Sequence, residues 1–87
     1  MVSQSVVVIN PSGLHARPAS MFVKKAQQFQ SSLKVEKDGK AVDGRSMLGV
    51  LTLGADMGST VTLSAEGPDE EQTLKEMVDL VNSGFGE

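Results

Sequence analysis

Two residues near the start of the chain could do chemistry together. His15 is the only histidine in the 87 residues, and Arg17, the first basic residue, lies two positions later. At neutral pH the imidazole of an ordinary histidine is mostly neutral, and its nitrogen is a nucleophile that can take a phosphoryl group. The planar guanidinium of an arginine binds phosphate oxygens through parallel hydrogen bonds. The pair is therefore able to hold a phosphoryl group, with the His15 nitrogen accepting it and Arg17 chelating its oxygens, and this is one of several chemistries open to a lone histidine.

Other roles are open to a lone histidine. A metal site would need more ligands, and the chain has no Cys and no second His, so a cation would depend on carboxylates alone. A serine hydrolase would need an acid to orient His15 and a serine on a G-x-S-x-G elbow, and that motif is absent. We therefore expect no metal and no cofactor. A loop histidine that bonds only the backbone stays open as the alternative.

The elements around His15 must place it at the start of a helix. A β-branched run predicts a strand at residues 5–9, and Asn10–Gly13 are turn-forming residues. Apolar residues at a spacing of three and four then predict an amphipathic helix from about residue 16 to residue 28. These positions are Ala19, Phe22, Val23, Ala26 and Phe29.

The first turn of this helix is suited to an anion. Pro18 fits only the first turn, so His15 lies at or next to the N-cap. The backbone amides of Ala16 and Arg17 are then free to donate, and the helix terminus carries partial positive charge. We expect the imidazole to point at this anion-binding position.

The rest of the chain supplies three strands and two more helices. Asp38-Gly39 predicts a hairpin with a type I′ turn, and Ser46 predicts a capped short helix that ends at Gly54. A strand follows at residues 61–65. Asp69 with Gln72 resembles a capping box at the start of a last helix, whose inward stripe includes Met77 and which ends at Gly84.

This order of elements predicts an α+β fold. The chain alternates as strand, helix, strand, strand, helix, strand, helix (βαββαβα), which implies a four-stranded antiparallel sheet with its three helices on one face. The length predicts one domain over residues 1–87. The absence of Cys fits the cytoplasm, and the early apolar run at residues 6–9 is too short for a signal peptide or a membrane span.

The charge distribution indicates the class of partner. The net charge is −3, but residues 1–45 sum to +4 and residues 46–87 to −7, with no Asp or Glu in the first 35 residues. A positive side of this kind suits an anionic ligand or an acidic protein. Nucleic acid is a poor match, because the chain is acidic overall and has no Tyr or Trp for base stacking.

Two motifs resemble one protein family. Gly13-Leu14-His15-Ala16-Arg17-Pro18-Ala19 and, about thirty residues later, Ser46-Met47-Leu48-Gly49-Val50 are similar to the HPr phosphocarriers of the bacterial sugar phosphotransferase system. The resemblance extends over essentially the whole chain and implies an open-faced β-sandwich of four strands and three helices. It also implies that His15 accepts a phosphoryl group on Nδ1 from phospho-enzyme I, which phosphoenolpyruvate charges, and passes it to sugar-specific IIA domains. The protein would then be a carrier and not an enzyme.

The resemblance implies further roles and partners. Arg17 matches the family arginine that contacts the phosphate. Ser46 matches the serine that an ATP-dependent kinase phosphorylates in many Gram-positive relatives, whose Ser-phosphate form binds a catabolite-control transcription regulator. A small apolar patch beside His15 is expected to dock enzyme I and IIA domains on a cytoplasmic monomer. One of the pair Met47 and Leu48 is expected to face inward and to belong to the core. The predicted interface residues are Ser20, Met21, Lys24, Met47, Leu48 and Leu51.

Two alternatives remain open beside the phosphocarrier. One is a purely regulatory binding module whose signal is phosphorylation of Ser46, as in relatives that lack the histidine. The presence of both His15 and Arg17 argues against this as the sole role. The other is a small α+β ligand-binding domain with no phosphoryl transfer, which would be favoured only if neither phosphoryl donor labelled the protein.

Overall fold

The computed structural model describes residues 1–87 and shows the predicted order of elements. The strands form one antiparallel sheet in the order β1-β4-β2-β3. The elements are β1 (Val2–Val7), α1 (Ala16–Ala26), β2 (Ser32–Lys37), β3 (Lys40–Asp43), α2 (Met47–Leu53), β4 (Thr60–Glu66), α3 (Glu70–Asn82) and a 3₁₀ turn (Gly84–Gly86).

The alternation of apolar and polar residues decides which face of the sheet the helices cover. Along β4, Val61, Leu63 and Ala65 are buried and the residues between them are half-buried. On the opposite face Ser5 and Thr62 share a hydrogen bond of 2.9 Å between their hydroxyls. The three helices pack over the apolar face and complete a core of 19 buried residues. The open-faced four-stranded architecture expected from the sequence is confirmed.

The hairpin turn also forms as predicted. β2 and β3 pair up to Lys37 and Lys40, so the loop between them is the two residues Asp38 and Gly39. Both have positive φ, 51° and 82°, as a type I′ turn requires. This turn sets the register of the hairpin.

Two predicted boundaries shift by a few residues. β1 was expected at residues 5–9 but spans Val2–Val7, because β4 pairs with it from Ala65 back to Thr60. α1 was expected to reach residue 28 but ends at Ala26. There the amides of Gln28 and Phe29 donate to carbonyls three residues back, which tightens the last turn out of the α-helix.

The capping box predicted at α3 is wrong. Asp69 is the N-cap, but its carboxylate accepts no hydrogen bond from the helix amides. It instead accepts the amide hydrogens of Gln30 and Ser31, at 3.0 and 2.9 Å. Gln72 donates to Glu76 on the exposed face of the helix. Asp69 therefore ties the segment after α1 to the start of α3, which local sequence could not show. None of the three helices is long and apolar enough to span a bilayer.

Candidate functional site

His15 is the N-cap of α1. Its backbone is extended, with φ −100° and ψ −174°, and its side chain makes no capping hydrogen bond. Its carbonyl accepts the amide hydrogen of Ala19 at 2.8 Å, which begins the helix. The imidazole is 54% exposed. The ring is therefore held at the helix terminus, as the sequence predicts, and is accessible to a second protein.

The first turn of α1 presents free donors next to this ring. The amides of Ala16 and Arg17 have no intrahelical partner and donate to no other protein acceptor. Pro18, which has no amide hydrogen, is buried in the same turn, so the turn contains no further donor to satisfy. The partial positive charge of the helix end adds to these donors. The turn can bind a phosphoryl group.

Arg17 is exposed and pairs with no carboxylate. Its only hydrogen bond runs from Nη1 to the carbonyl oxygen of Phe85, at 3.4 Å. Phe85 is fully buried, so this carbonyl is a fixed anchor for the guanidinium. The remaining donors of the guanidinium are free to bind phosphate oxygens.

A second loop is attached to the His15 loop. The amide of Leu14 donates to the carbonyl of Ala55 at 2.8 Å, and the amide of Gly58 donates to the carbonyl of Val8 at 2.7 Å. Leu14, Val8 and Ala55 are buried. Because these backbone bonds lie at the core side of both loops, residues 54–59 are held beside His15.

This attachment brings Asp56 to the imidazole. Nε2 of His15 lies 2.8 Å from Oδ1 of Asp56, and the carboxylate is 74% exposed. From sequence, the Asp56 segment is predicted only as a loop between α2 and β4. No local signal marks this aspartate, because 41 positions separate it from the histidine. The ring thus bonds a carboxylate and not the backbone.

Glu87 is a second residue whose contacts no local sequence pattern predicts. Its Oε1 accepts hydrogen bonds from the amide of Ser12, at 3.1 Å, and from Nδ2 of Asn10, at 3.2 Å. Its Oε2 accepts the Ser12 hydroxyl. These bonds, led by the Ser12 hydroxyl and supported by the charge of Arg17, lower the pKa of Glu87. Glu87 therefore stabilises the loop that precedes His15.

Ser46 is the N-cap of α2, as predicted. Its hydroxyl oxygen accepts the amide hydrogen of Gly49 at 3.2 Å, and α2 ends at Gly54, which has φ 70°. The Ser46 hydroxyl proton has no acceptor in the protein, and the residue is half-buried.

The six predicted interface residues lie on two packed helices. α1 and α2 contact each other, and Leu48 and Leu51 on α2 are 73% and 38% exposed. Met47 is the member of its pair that faces inward, and it packs partly against the core, as Met21 does. None of the six side chains is fully buried. The six residues are Ser20, Met21, Lys24, Met47, Leu48 and Leu51. Met77, assigned to the core from sequence, is completely buried.

No group of three or more His, Cys, Asp or Glu residues is arranged to hold a metal ion. The chemistry that the arrangement supports is the capture of an anion by the imidazole, the α1 amides and Arg17.

Comparison with known proteins points to one family. The family model described as "PTS HPr component phosphorylation site" matches residues 2–83. Phosphocarrier protein HPr of Cupriavidus necator is 39% identical over 87 residues, covering 100% of this chain and 98% of that protein. The crystal structure of HPr-C-His from Thermoanaerobacter tengcongensis has a TM-score of 0.97 and 48% identity, covering 100% of this chain and 98% of that chain. Crh of Bacillus subtilis, a catabolite repression protein solved as a domain-swapped dimer, has a TM-score of 0.78 and 42% identity, with 97% of both chains covered.

Proposed function

The chain belongs to the HPr family of phosphocarrier proteins of the phosphotransferase system, and on that premise we propose that His15 carries the phosphoryl group. The group comes from phospho-enzyme I, which takes it from phosphoenolpyruvate, and goes on to sugar-specific IIA domains during sugar uptake. The protein is then a carrier that is phosphorylated and dephosphorylated in turn, and not an enzyme.

The position of His15 is the observation that carries this proposal. A neutral imidazole nitrogen can attack the phosphorus of the donor's phosphohistidine and displace the donor imidazole, and the product must be stabilised as a dianionic phosphoryl group on the ring. His15 is exposed at the N-cap of α1, next to the free amides of Ala16 and Arg17. These donors offer the phosphoryl oxygens hydrogen bonds without any rearrangement of the helix.

Arg17 supplies the positive side chain of the site. Its guanidinium makes one long bond to the Phe85 carbonyl and no ion pair, so little is lost when it turns to a phosphate. In the phosphorylated protein we expect it to bind the phosphoryl oxygens. In the complexes we expect it to contact partner carboxylates.

The surface formed by α1 and α2 is the proposed docking surface for enzyme I and IIA domains. Leu48 and Leu51 give it an apolar centre, and Lys24 adds an exposed positive charge. An apolar surface with a basic rim suits partners that are acidic around an apolar contact. Ser20, Met21 and Met47 complete it as half-buried neighbours.

Phosphoryl transfer tests the proposal directly. The protein is incubated with enzyme I and labelled phosphoenolpyruvate, and we expect acid-labile, alkali-stable label that moves to an added IIA domain. A His15→Ala variant should take no label, whereas a Ser46→Ala variant, made in parallel, should label normally. Undiminished labelling of His15→Ala would contradict the proposal.

A second role, regulation through Ser46, is supported by a separate observation. The Ser46 hydroxyl caps α2 next to the exposed Leu48, and its proton has no acceptor in the protein. An ATP-dependent kinase that phosphorylated it would add about −1.5 to −2 charge there at pH 7. That charge would repel acidic partners from the docking surface. The same form would offer a phosphoserine to a catabolite-control transcription regulator.

Separate phosphorylation by the two donors distinguishes the roles. We expect one phosphate per chain on His15 from enzyme I, and one on Ser46 from ATP with an HPr kinase. Protein first phosphorylated on Ser46 should then take label from enzyme I more slowly. If only the kinase labelled the protein, it would be a regulatory module. If neither did, a ligand-binding domain would remain. We further propose that the protein is a monomer and acts in the cytoplasm.

A further inference from the structure

The hydrogen bond between His15 and Asp56 determines which ring nitrogen is available. A carboxylate only accepts hydrogen bonds, so the 2.8 Å contact between Oδ1 and Nε2 requires the proton to be on Nε2. In the neutral ring the other nitrogen, Nδ1, then carries the free lone pair. The protein offers Nδ1 no hydrogen-bond partner of its own.

The backbone around Asp56 holds its carboxylate in this position. The Asp56 amide donates to the hydroxyl of Ser59 at 3.0 Å, and the Ser59 amide donates to the Asp56 carbonyl at 3.0 Å. On the other side, the buried carbonyl of Ala55 accepts the amide hydrogen of Leu14 at 2.8 Å. Asp56 and His15 are thus each one residue away from the same buried backbone bond, which fixes the distance between them.

No other charge competes for the Asp56 carboxylate. It makes no contact with a lysine or an arginine, and its one side-chain partner is the imidazole. Asp43, by contrast, accepts the backbone amide of Arg45 in its own loop. Asp56 instead points across to the second loop.

We infer that Asp56 is a positioning residue for phosphoryl transfer, holding His15 as the Nε2–H tautomer so that Nδ1 is the attacking nitrogen. The inference rests on the proposed function. In the transfer step the Nδ1 lone pair forms the new N–P bond as the N–P bond of the donor phosphohistidine breaks, and that electron pair returns to the donor imidazole. No proton has to leave Nδ1, because the ring proton stays on Nε2. The ring becomes positive as the bond forms, so the hydrogen bond to Asp56 strengthens during the step.

The tautomer of His15 tests this inference without any phosphoryl donor. Long-range ¹H–¹⁵N NMR spectra of the ring, recorded where it is neutral, should show the Nε2–H form in the wild-type protein. In Asp56→Asn the side-chain amide can face Nε2 with its oxygen or its NH₂ group, so it no longer selects a tautomer. We expect the ratio of Nδ1–H to Nε2–H to rise roughly two- to fivefold, the range given by exposed charge pairs.

The rate of transfer from phospho-enzyme I is measured on the same proteins. We expect Asp56→Asn to label roughly two- to fivefold more slowly than wild type, again on the scale of an exposed pair. Glu36→Gln, which removes an exposed carboxylate from β2, is the charge-matched control and should keep the wild-type tautomer and rate. Far-UV circular dichroism establishes that each variant is folded.

The outcomes separate this inference from the proposed function. A wild-type ring mainly in the Nδ1–H form overturns the inference, and this measurement stands even if Asp56→Asn does not fold. A variant that changes only the tautomer or only the rate also overturns it, because the two effects are claimed to have one cause. If wild-type protein took no label, the proposed function would fail, and the tautomer comparison would still decide whether Asp56 positions the ring.

Discussion

The amide of Leu14 donates to the carbonyl of Ala55 across 2.8 Å, and this one bond joins the two loops that form the site. His15 follows Leu14 and Asp56 follows Ala55, so the contact between the two side chains depends on a backbone bond that is buried beneath them.

Gly13 tests the close approach of the two loops. It has φ 65°, and a Cβ added there would lie 2.5 Å from the Ala55 carbonyl oxygen and 2.8 Å from the Cα of Asp56. Gly13→Ala should therefore destabilise the protein by about 1–3 kcal/mol in urea unfolding and slow labelling of His15. Gly39→Ala is the matched control, since Gly39 also has positive φ but nothing within 4 Å of its Cβ position. Equal losses in the two variants would show that the close approach has no effect.

Arg17 tests the phosphate contact. Because the side chain is exposed and unpaired, Arg17→Ala should leave the unfolding free energy nearly unchanged. Its loss from the transferred phosphoryl group should slow labelling by roughly tenfold or more, as expected for hydrogen bonds to a charged group. Arg17→Lys keeps the charge but not the fork and should recover only part of the rate. Lys24→Ala controls for general loss of positive charge, and a rate as low as that of Arg17→Ala would contradict a specific contact.

Replacing Ser46 tests the contribution of its hydroxyl to the stability of α2, separately from any phosphorylation of that hydroxyl. Ser46→Ala removes the acceptor of the Gly49 amide hydrogen and should lower the unfolding free energy by about 1 kcal/mol. Chemical denaturation measures this loss. Transfer of a phosphoryl group to His15 from enzyme I should be unaffected, since the Ser46 hydroxyl makes no contact with the imidazole. A stable variant would mean that the hydrogen bond contributes nothing to α2.

Asp69 makes the folding stability of the protein depend on pH in the acidic range. Hydrogen bonds, led by that from the Ser31 hydroxyl, lower its pKa to about 2 from 3.8. Between pH 2 and pH 3.8 the Asp69 carboxylate binds a proton more readily in the unfolded chain than in the folded protein. Its contribution to the free energy of unfolding is therefore complete above pH 3.8 and is lost as the pH falls towards 2. Thermal melts should show Asp69→Asn less stable than wild type at pH 6, with the difference shrinking in this window. Glu71→Gln, at the same helix start, should show no such convergence.

Glu87 tests the anchoring of the loop before His15. Glu87→Gln should weaken the bonds to the Ser12 amide and to the Asn10 side chain. Amide hydrogen exchange at Ser12 should accelerate, while exchange in the β4 core stays the same. Because the pKa of Glu87 is lowered by these bonds, the wild-type protection should fade as the pH falls below the usual range of a glutamate. Unchanged exchange at Ser12 would show that the anchor is not Glu87.

The order of elements could be predicted from sequence because its signals are local. The type I′ turn needs two residues that tolerate positive φ, and Asp38-Gly39 supply them. A helix N-cap needs a side-chain oxygen that accepts the hydrogen bond of a backbone amide three residues later. At α2 the hydroxyl of Ser46 is that oxygen. The start of α1 was equally readable, because Pro18 is compatible with only the first turn of a helix.

The predictions that are wrong concern side chains and segments whose partners the local pattern does not determine. Asp69 looked like a helix cap, yet its carboxylate lies beside the amides of Gln30 and Ser31, nearly forty positions earlier in the chain. The observed ends of β1 and α1 differ from the predicted ends by a few residues. Pairing with β4 sets the ends of β1, and the tighter turn after Ala26 ends α1. A local pattern shows that a carboxylate can cap a helix, but it does not show which amides will be nearest after folding.

Local sequence predicts that His15 lies at the start of a helix with Arg17 two residues later, because neighbours in the chain remain neighbours in the first turn of α1. The contact of Asp56 with Nε2 of His15 and the hydrogen bond from Arg17 to the Phe85 carbonyl appear only in the folded protein. Those contacts join residues 41 and 68 positions apart. They depend on how the loops pack onto one core, a property that no local spacing of residue types records.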